Sequence, residues 1–294
     1  MPTAALGLVF LSTILHASWN LLAHARRNDQ TLFLRAALVT GLVGLGPVLW
    51  SEWTGSNRFP PMVWLLLVIT GLFQGLYFLG LTRGYGSGDF TVVYPVARAL
   101  PVLILALVDA GRGQVPSALG WLGIALVTGG CLLSPLESLR EVHWRRYANA
   151  TGFWILVTAA GGVGYSLVDK LAAEQLAPGA WSAARYGLME TLITVFYLWP
   201  LLRLTGGPLG PAPGSWGVRW RWAALAGGFI FAAYWLILWA YQISPYVSYI
   251  VALRQFSIVI GVVAATLLFH EPAARLRIAA AVIIALGVAA ITVA

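Results

Sequence analysis

The chain has 294 residues, of which 60% are hydrophobic and only 10% are charged. A soluble globular domain carries about 25% charged residues, so this composition excludes a water-soluble protein. The formal net charge of +8 comes from cations spread over short connections between apolar runs, without the basic patch that binds a phosphate backbone, and we expect no nucleic-acid partner.

Ten apolar runs follow one another from one end of the chain to the other. Each is close to the length of about 20 residues that a helix needs to span the hydrocarbon core of a bilayer. Proline and glycine clusters such as Pro60-Pro61 and Gly111-Arg112-Gly113 separate the runs. The sequence therefore predicts an all-α integral membrane protein with ten transmembrane helices, over residues 3–24, 31–50, 62–82, 89–110, 117–135, 150–171, 179–202, 219–242, 246–269 and 274–293.

The positive charges predict an orientation. Ten spans place the connections alternately on two faces, and most arginines of the connections fall on the same face as Arg26 and Arg27. Short, positively charged loops stay cytoplasmic, so we expect that face inside and both termini outside. The segment 136–149 is then the longest cytoplasmic connection, and we expect it to lie at the lipid headgroups. The first run, followed by Arg26 and Arg27 with no cation before it, is typical of a retained helix rather than a signal peptide.

The two halves of the chain resemble each other. The aligned pairs are Tyr85 with Tyr241, Arg98 with Arg254, Ile104 with Ile260, Pro116 with Pro272 and Arg35 with Arg185. Five helices per half is an odd number, so the second half must cross the membrane upside down relative to the first. We therefore predict two inverted five-helix repeats, 1–135 and 150–294, joined by the connecting loop 136–149. Inverted repeats are typical of transporters, in which the two halves rock about a central site.

Two arginines lie near the middle of the predicted spans. Arg98 is about nine residues into the fourth helix and Arg254 about nine residues past Pro245, roughly 13 Å deep from opposite faces. A charge at that depth is costly and usually faces the bundle interior or a watery cavity. One interpretation is that a guanidinium binds the carboxylate, phosphate or phosphonate of a substrate. The other is that the arginines bind helix-end carbonyls and lock the two halves together.

Further intramembrane residues are candidates for the same site. Glu190 and Asp169 are candidate proton-coupling acids, although a fixed Glu190–arginine ion pair and a polar helix end at Asp169 are alternatives. We expect four more residues to contribute to substrate binding, of which His16 has the alternative of bonding to its own bundle; they are His16, Asn20, Tyr94 and Tyr249. The single cysteine, Cys131, excludes an intrachain disulfide, and we predict neither a metal nor a cofactor.

Three local stretches resemble the ten-helix EamA-type members of the drug/metabolite transporter superfamily. They are His16-Ala17-Ser18-Trp19-Asn20, Gly88-Asp89-Phe90-Thr91-Val92-Val93-Tyr94-Pro95-Val96-Ala97-Arg98 and Ala252-Leu253-Arg254-Gln255-Phe256-Ser257. The resemblance implies a secondary transporter with a central cavity between its halves. In phosphate-translocating relatives, cationic residues on the corresponding helices hold the substrate phosphate, which by analogy favours Arg98 and Arg254. The Gly-Glu pair that often follows the fourth helix in these relatives is absent around Gly113-Gln114-Val115.

The sequence therefore predicts a multi-pass protein of a bacterial inner membrane that is not an enzyme. We expect it to export or exchange a small metabolite, such as an amino acid, organic acid or phosphorylated or phosphonate compound, by alternating access and as a monomer or weak homodimer. A flippase for a lipid-linked headgroup is the alternative, followed by a membrane-embedded enzyme. The enzyme is disfavoured because the four histidines are scattered and His270-Glu271-Pro272 lacks the second histidine of a zinc-binding helix.

Overall fold

The computed structural model describes the backbone of the chain outside residues 26–28, 30, 56–57, 87–89, 135, 137–149, 207–215 and 269–274. Side chains are described for the same residues except 24–25, 85–86, 90–96, 150–151, 216–219 and 264–268. Most of the predicted connecting loop, Arg26, Arg27 and the His270-Glu271-Pro272 segment therefore lie outside the described residues.

The described chain is all-helical. Its helices are α1 (Thr3–Ala25), α2 (Leu32–Thr54), α3 (Pro61–Gly86), α4 (Phe90–Gly111), α5 (Ala118–Leu133), α6 (Ala150–Ala173), α7 (Ala180–Leu204), α8 (Trp216–Ile243), α9 (Val247–Arg254), α10 (Phe256–Leu268) and α11 (Arg275–Val293). Because α9 and α10 are separated by one residue, they occupy a single predicted span, and each of the ten predicted spans has its helix within a few residues. The predicted all-α membrane fold is confirmed, and a helix lies at each of the ten predicted spans.

Length and composition identify the helices that can cross a bilayer. Within the described residues seven helices are long and apolar enough, and two shorter apolar helices cover Ala118–Leu133 and Val247–Val263. Large apolar side chains point outward along these helices: Val43, Trp53 and Phe196 are 74%, 76% and 71% exposed. An apolar exterior of this kind is suited to lipid and would be insoluble in water.

Helices of the first half pack mainly on helices of the second half. Pairs across the halves include α1 with α8, α3 with α6, α2 with α7, α5 with α11 and α4 with α9. A twofold relation between the halves exchanges α1 with α6, α2 with α7, α3 with α8, α4 with α9 and α5 with α11. This exchange converts the α1–α8 pair into the α6–α3 pair, and each of the other three pairs is converted into itself. This pattern is the one that a pseudo-twofold relation between the halves requires, and the inverted repeat and its boundaries stay predictions that it supports.

Glycines let two of these pairs approach closely. A Cβ atom on Gly161 of α6 would lie 2.6 Å from the backbone nitrogen of Tyr77 on α3. A Cβ atom on Gly123 of α5 would lie 2.8 Å from the carbonyl oxygen of Gly287 on α11. Helices inside a bilayer associate through such close backbone packing because lipid provides no hydrophobic drive between them. The packing at α3 and α6 brings Tyr77 and Tyr165 together in the middle of the protein.

The ninth span is interrupted at Gln255. The nitrogen of Gln255 donates to the carbonyl of Ala252 rather than to that of Val251, and the Gln255 side-chain amide bonds the Val251 carbonyl at 2.9 Å. Ser257 Oγ bonds the carbonyl of Arg254 at 2.8 Å. Side chains that bond nearby carbonyls compete with the helical ladder. The polar side chains of Gln255 and Ser257 therefore end α9 inside the span, and the Arg254 carbonyl oxygen is available to a further partner.

Candidate substrate-binding site

Helix α4 supports the short helix α9 at both of its ends. At the first turn of α9, Asp109 Oδ2 accepts hydrogen bonds from Ser248 N at 2.8 Å and Ser248 Oγ at 2.6 Å. At the last residue, Arg98 Nη2 donates to the carbonyl oxygen of Arg254 at 3.0 Å. A helix is positive at its N-terminus and negative at its C-terminus. The two charges on α4 therefore complement the dipole of α9 and fix the position of Arg254.

Arg98 is bonded within the protein. Besides the Arg254 carbonyl, its guanidinium donates from Nη1 to Ser257 Oγ at 2.9 Å, and the residue is buried. Both partners belong to the interrupted ninth span. These contacts match the structural interpretation, in which an intramembrane arginine binds helix-end carbonyls and joins the two halves of the chain.

Arg254 is differently placed, although its residue is also buried. Its guanidinium lies over the ring of Tyr234, 5.4 Å from the ring centroid, and its Nη2 is 3.5 Å from His16 Nδ1. Among the described residues, Arg254 Nε has no hydrogen-bond partner, and no carboxylate lies within ion-pair distance of the guanidinium. A buried cation with unused donors is suited to an anionic ligand.

The side chain of Arg254 lines a central cavity between the two halves. Helices α1, α2 and α3 contribute one wall, and α6, α7, α8 and α9 contribute the other. Its aromatic lining includes Trp19, Phe33, Tyr77, Phe78, Tyr165, Phe231, Tyr234 and Trp235, and its polar lining includes His16, Gln74, Thr191, Thr194 and Arg254. The cavity volume is about 50 Å³, and the whole space not filled by atoms, including the open solvent at its mouth, is about 700 Å³. An apolar pocket with a few polar groups is the usual form of a small-molecule site.

Of the predicted ligands, His16 reaches this cavity and Asn20 does not line it in the described structure. His16 Nδ1 accepts from Trp19 Nε1 at 3.1 Å, and Asn20 Nδ2 bonds the His16 carbonyl at 2.7 Å. The three residues stabilise one stretch of α1. A smaller neighbouring cavity shares His16, Tyr77, Tyr165 and Arg254 with the central one and adds Arg98 to its lining.

The two predicted tyrosines have different outcomes. The side chain of Tyr94 lies outside the described residues, and its backbone is in α4. Tyr249 is buried and stacks on Tyr246 at 4.5 Å, and its hydroxyl packs on the site of Gly120 in α5. Neither cavity lining includes Tyr249 among the described residues. The structure therefore places Tyr249 in the packing between α5 and α9, and we do not propose it as a ligand.

Asp169 and Glu190 meet in one polar cluster beside the cavity. Thr70 Oγ1 bonds Asp169 Oδ1 at 2.7 Å and lies 3.5 Å from Glu190 Oε1. Tyr186 and Tyr234 also donate to Asp169, and Gln74 donates to Glu190 at 2.5 Å. Asp169 is fully buried, so it is not the polar end of α6. The described residues place no arginine in an ion pair with Glu190.

Sequence reasoning missed several of these contributors. Thr70 and Gln74 are one helical turn apart on α3, and two polar residues at that spacing in an apolar span were the available signal. Asp109 near the end of α4 was overlooked as an intramembrane charge. Lys170, the residue after Asp169 on α6, donates from Nζ to the carbonyls of Tyr241 and Ser244 at 2.7 Å each, at the C-terminal end of α8.

The fold and cavity define a multi-pass helical membrane protein with a central polar site. No family model matches the chain. A bacterial protein, the "Uncharacterized transporter in cobO 3'region" of Sinorhizobium sp, is 24% identical to it over 106 residues, which are 36% of this chain and 75% of that protein. A solved crystal structure superposes on 100% of this chain and 98% of its own with a TM-score of 0.71 at 18% identity, which shows a common fold. The name of the distant relative from Sinorhizobium sp describes it as a transporter.

Proposed function

We propose that the chain is a secondary transporter that moves a small anionic metabolite by alternating access, with Arg254 as the residue that binds the anion. The observation that carries the proposal is the buried Arg254, which lines the central cavity and has no carboxylate within ion-pair distance among the described residues, and whose buried Nε has no hydrogen-bond partner there. A cation held there without a carboxylate partner is costly, and an anionic ligand offsets that cost.

The architecture around Arg254 supports transport rather than permanent binding. The cavity lies between the two predicted repeats, and the interrupted ninth span ends α9 at the cavity. Interrupted helices and a site between inverted repeats are typical of secondary transporters. The named relative and the resemblance to EamA-type members of the drug/metabolite transporter superfamily both agree with this class. A bacterial inner membrane, and export or exchange, are parts of the same proposal.

The substrate class follows from the lining. Arg254 is suited to a carboxylate, phosphate or phosphonate, and the aromatic walls are suited to the apolar part of a small metabolite. An amino acid, an organic acid and a phosphorylated compound each satisfy this description. The flippase alternative stays a prediction from the sequence, and the test below distinguishes it through lipid-linked anions.

The test is a thermal-shift screen of the purified, detergent-solubilised protein and of Arg254→Gln. The panel contains amino acids, organic acids, phosphorylated metabolites, phosphonates and a lipid-linked phosphate. We expect one soluble anionic class to raise the melting temperature of the wild type and not that of the variant. Arg275→Gln removes an exposed arginine and is the matched control. Stabilisation by a neutral or cationic class that survives in Arg254→Gln would overturn the proposal, and stabilisation only by the lipid-linked phosphate would favour the flippase.

A further inference from the structure

The carboxyl groups of Asp169 and Glu190 are buried together without a cation. Asp169 is 0% and Glu190 is 1% exposed, and within the described residues no lysine or arginine nitrogen lies within ion-pair distance of either. Their side chains are linked by Thr70, which bonds Asp169 and lies 3.5 Å from Glu190. Two negative charges on side chains that adjoin the same hydroxyl group repel strongly in a low dielectric, so one carboxyl must carry a proton.

The hydrogen bonds indicate which carboxyl is charged. Asp169 accepts from three hydroxyl groups, those of Thr70, Tyr186 and Tyr234, and several donors stabilise a carboxylate. Glu190 accepts from Gln74 through Oε1, and no donor among the described residues reaches its buried Oε2. The Glu190 side chain is in hydrogen-bond contact with that of Asp169, so a proton on Glu190 has a carboxylate acceptor. Asp169 is therefore the carboxylate and Glu190 the acid in this arrangement.

The remaining charged or titratable side chains on the surrounding helices do not neutralise the pair. Among the described side chains they are Tyr77 and Arg83 on α3, Arg98 and Asp109 on α4, Tyr165 and Lys170 on α6, Arg185, Tyr186, Tyr197 and Arg203 on α7, Arg221, Tyr234 and Tyr241 on α8, Tyr249 and Arg254 on α9, His16 on α1, and Arg35 and Glu52 on α2. Among the cations, Arg98 bonds the end of α9, Lys170 the end of α8, Arg185 pairs with Glu52, and Arg35 pairs with Asp29.

Tyr234 connects this carboxyl pair to the anion site. Its hydroxyl donates to Asp169 Oδ2, while its ring lies under the guanidinium of Arg254 at 5.4 Å. Tyr165 packs edge-on against Tyr234 at 5.5 Å and holds the ring in place. The positive charge of Arg254 therefore acts on the carboxyl pair across a single side chain in a buried region, where water screens it little.

We propose that Asp169 and Glu190 form one proton-binding site that is coupled through Tyr234 to anion binding at Arg254, so that an anion and a proton are carried together. The proposal rests on the proposed function. An anion bound at Arg254 cancels the positive charge that favours the ionised pair, so it strengthens proton binding. Because coupling between two sites is reciprocal, a proton on the pair strengthens anion binding by the same factor. Anion and proton therefore move in the same direction.

The proton site can be tested without any substrate. Infrared spectroscopy of the full chain in detergent at neutral pH should show a protonated, buried carboxyl band that disappears in Glu190→Gln. Glu174→Gln, which alters a half-exposed acid outside the cluster, is the matched control and should keep the band. If the wild type lacks a protonated carboxyl band that Glu190→Gln removes, the shared-proton site is overturned, and the proposed anion transport is unaffected.

The coupling is tested with sulfate and acetate, whose own charges stay nearly constant close to neutral pH. We expect the wild type to bind one of them roughly tenfold more tightly at mildly acidic than at mildly alkaline pH. Tyr234→Phe keeps the ring under Arg254 but removes the hydroxyl, and Glu190→Gln removes the proton. The anion affinity of both variants should depend less on pH than that of the wild type. Binding that is independent of pH in the wild type overturns the coupling alone. Failure of both anions to bind overturns the coupling and the proposed function together.

Discussion

Arg98 and Arg254 are aligned in the two predicted repeats, lie at similar depth and are both buried, yet their surroundings differ. Arg98 donates to the Arg254 carbonyl and to Ser257. Arg254 lies over Tyr234 in the central cavity and has an unused donor at Nε among the described residues. The difference originates in the break at Gln255, which releases backbone carbonyls beside Arg98 and has no described counterpart in α4.

The comparison shows how two arginines at equivalent positions of a pseudosymmetric protein can have different roles. The interrupted helix needs a cation at its C-terminal end, and Arg98 from the other half supplies it. Arg254 is then held by its backbone, so its side chain is available to the cavity. The preorganised position of Arg254 reduces the entropy that anion binding must overcome.

The largest effect is expected from removing the charge of Arg254. In liposomes, Arg254→Gln should transport the anion roughly 10- to 150-fold more slowly, because a charge-assisted hydrogen bond is worth about 1.5–3 kcal/mol. Arg254→Lys should retain partial activity because it keeps the charge and loses the planar fork. Thermal stability in the absence of anions should be close to that of the wild type, with Arg275→Gln as the control. Wild-type transport by Arg254→Gln would contradict the assignment.

The second variant, Arg98→Gln, should destabilise the protein. It removes two hydrogen bonds of a charged donor and leaves buried acceptors at the end of α9, at a cost of about 2–4 kcal/mol. Arg98→Lys can keep one of the bonds and should recover part of the loss. The measurement is a thermal or detergent unfolding midpoint without anions. If Arg98→Gln kept its stability and lost only anion binding, Arg98 would join Arg254 as a ligand and the proposed division would be wrong.

The sequence predicted the helices well and the division between the arginines poorly. Apolar runs of bilayer length have a strong signal, so ten spans and their ends could be predicted within a few residues. The intramembrane position of Arg98 and Arg254 followed from counting along those spans. The break at Gln255 could not be predicted, because no proline or glycine marks it. It depends on side chains that bond the Val251 and Arg254 carbonyls. As long as the break was unknown, each arginine could either bind a substrate anion or bond helix-end carbonyls.

The hydrogen-bond partners of Asp169 and Glu190 also could not be predicted from the sequence, because they are far apart along the chain. Asp169 and Glu190 are separated by 21 positions, and Thr70 lies on a helix of the other half. From the sequence alone, Asp169 could also be the polar end of a helix, and Glu190 could also form an ion pair with an arginine. Only the packing of α3 on α6 and α7 brings them together beside Gln74. Clusters assembled across helices need the tertiary contacts that a single sequence without an alignment does not contain.

A third, smaller effect concerns the other end of α9. Asp109→Ala removes the acceptor for the nitrogen and hydroxyl of Ser248 and should cost about 1–2 kcal/mol, the usual range for a lost N-terminal cap. Asp109→Asn keeps an acceptor without the charge and should cost less. The unfolding midpoint of each variant measures the effect, and Ser248→Ala isolates the hydroxyl contact. A loss as large as that of Arg98→Gln would mean that α4 supports both ends of α9 equally.

The smallest effect is expected from the ion pair between Arg112 and Glu174. Arg112 Nη2 lies 2.9 Å and 2.8 Å from the two carboxylate oxygens, but the side chains are 28% and 38% exposed. A double-mutant cycle with Arg112→Gln and Glu174→Gln should give a coupling energy below about 1 kcal/mol that falls further with added salt. Arg98 makes contacts of similar length inside the bundle, so burial and not distance should separate the two arginines. A large, salt-insensitive coupling energy would show that the end of the bundle near Arg112 is shielded from water. Burial would then no longer explain why Arg98→Gln loses more stability than a variant of Arg112.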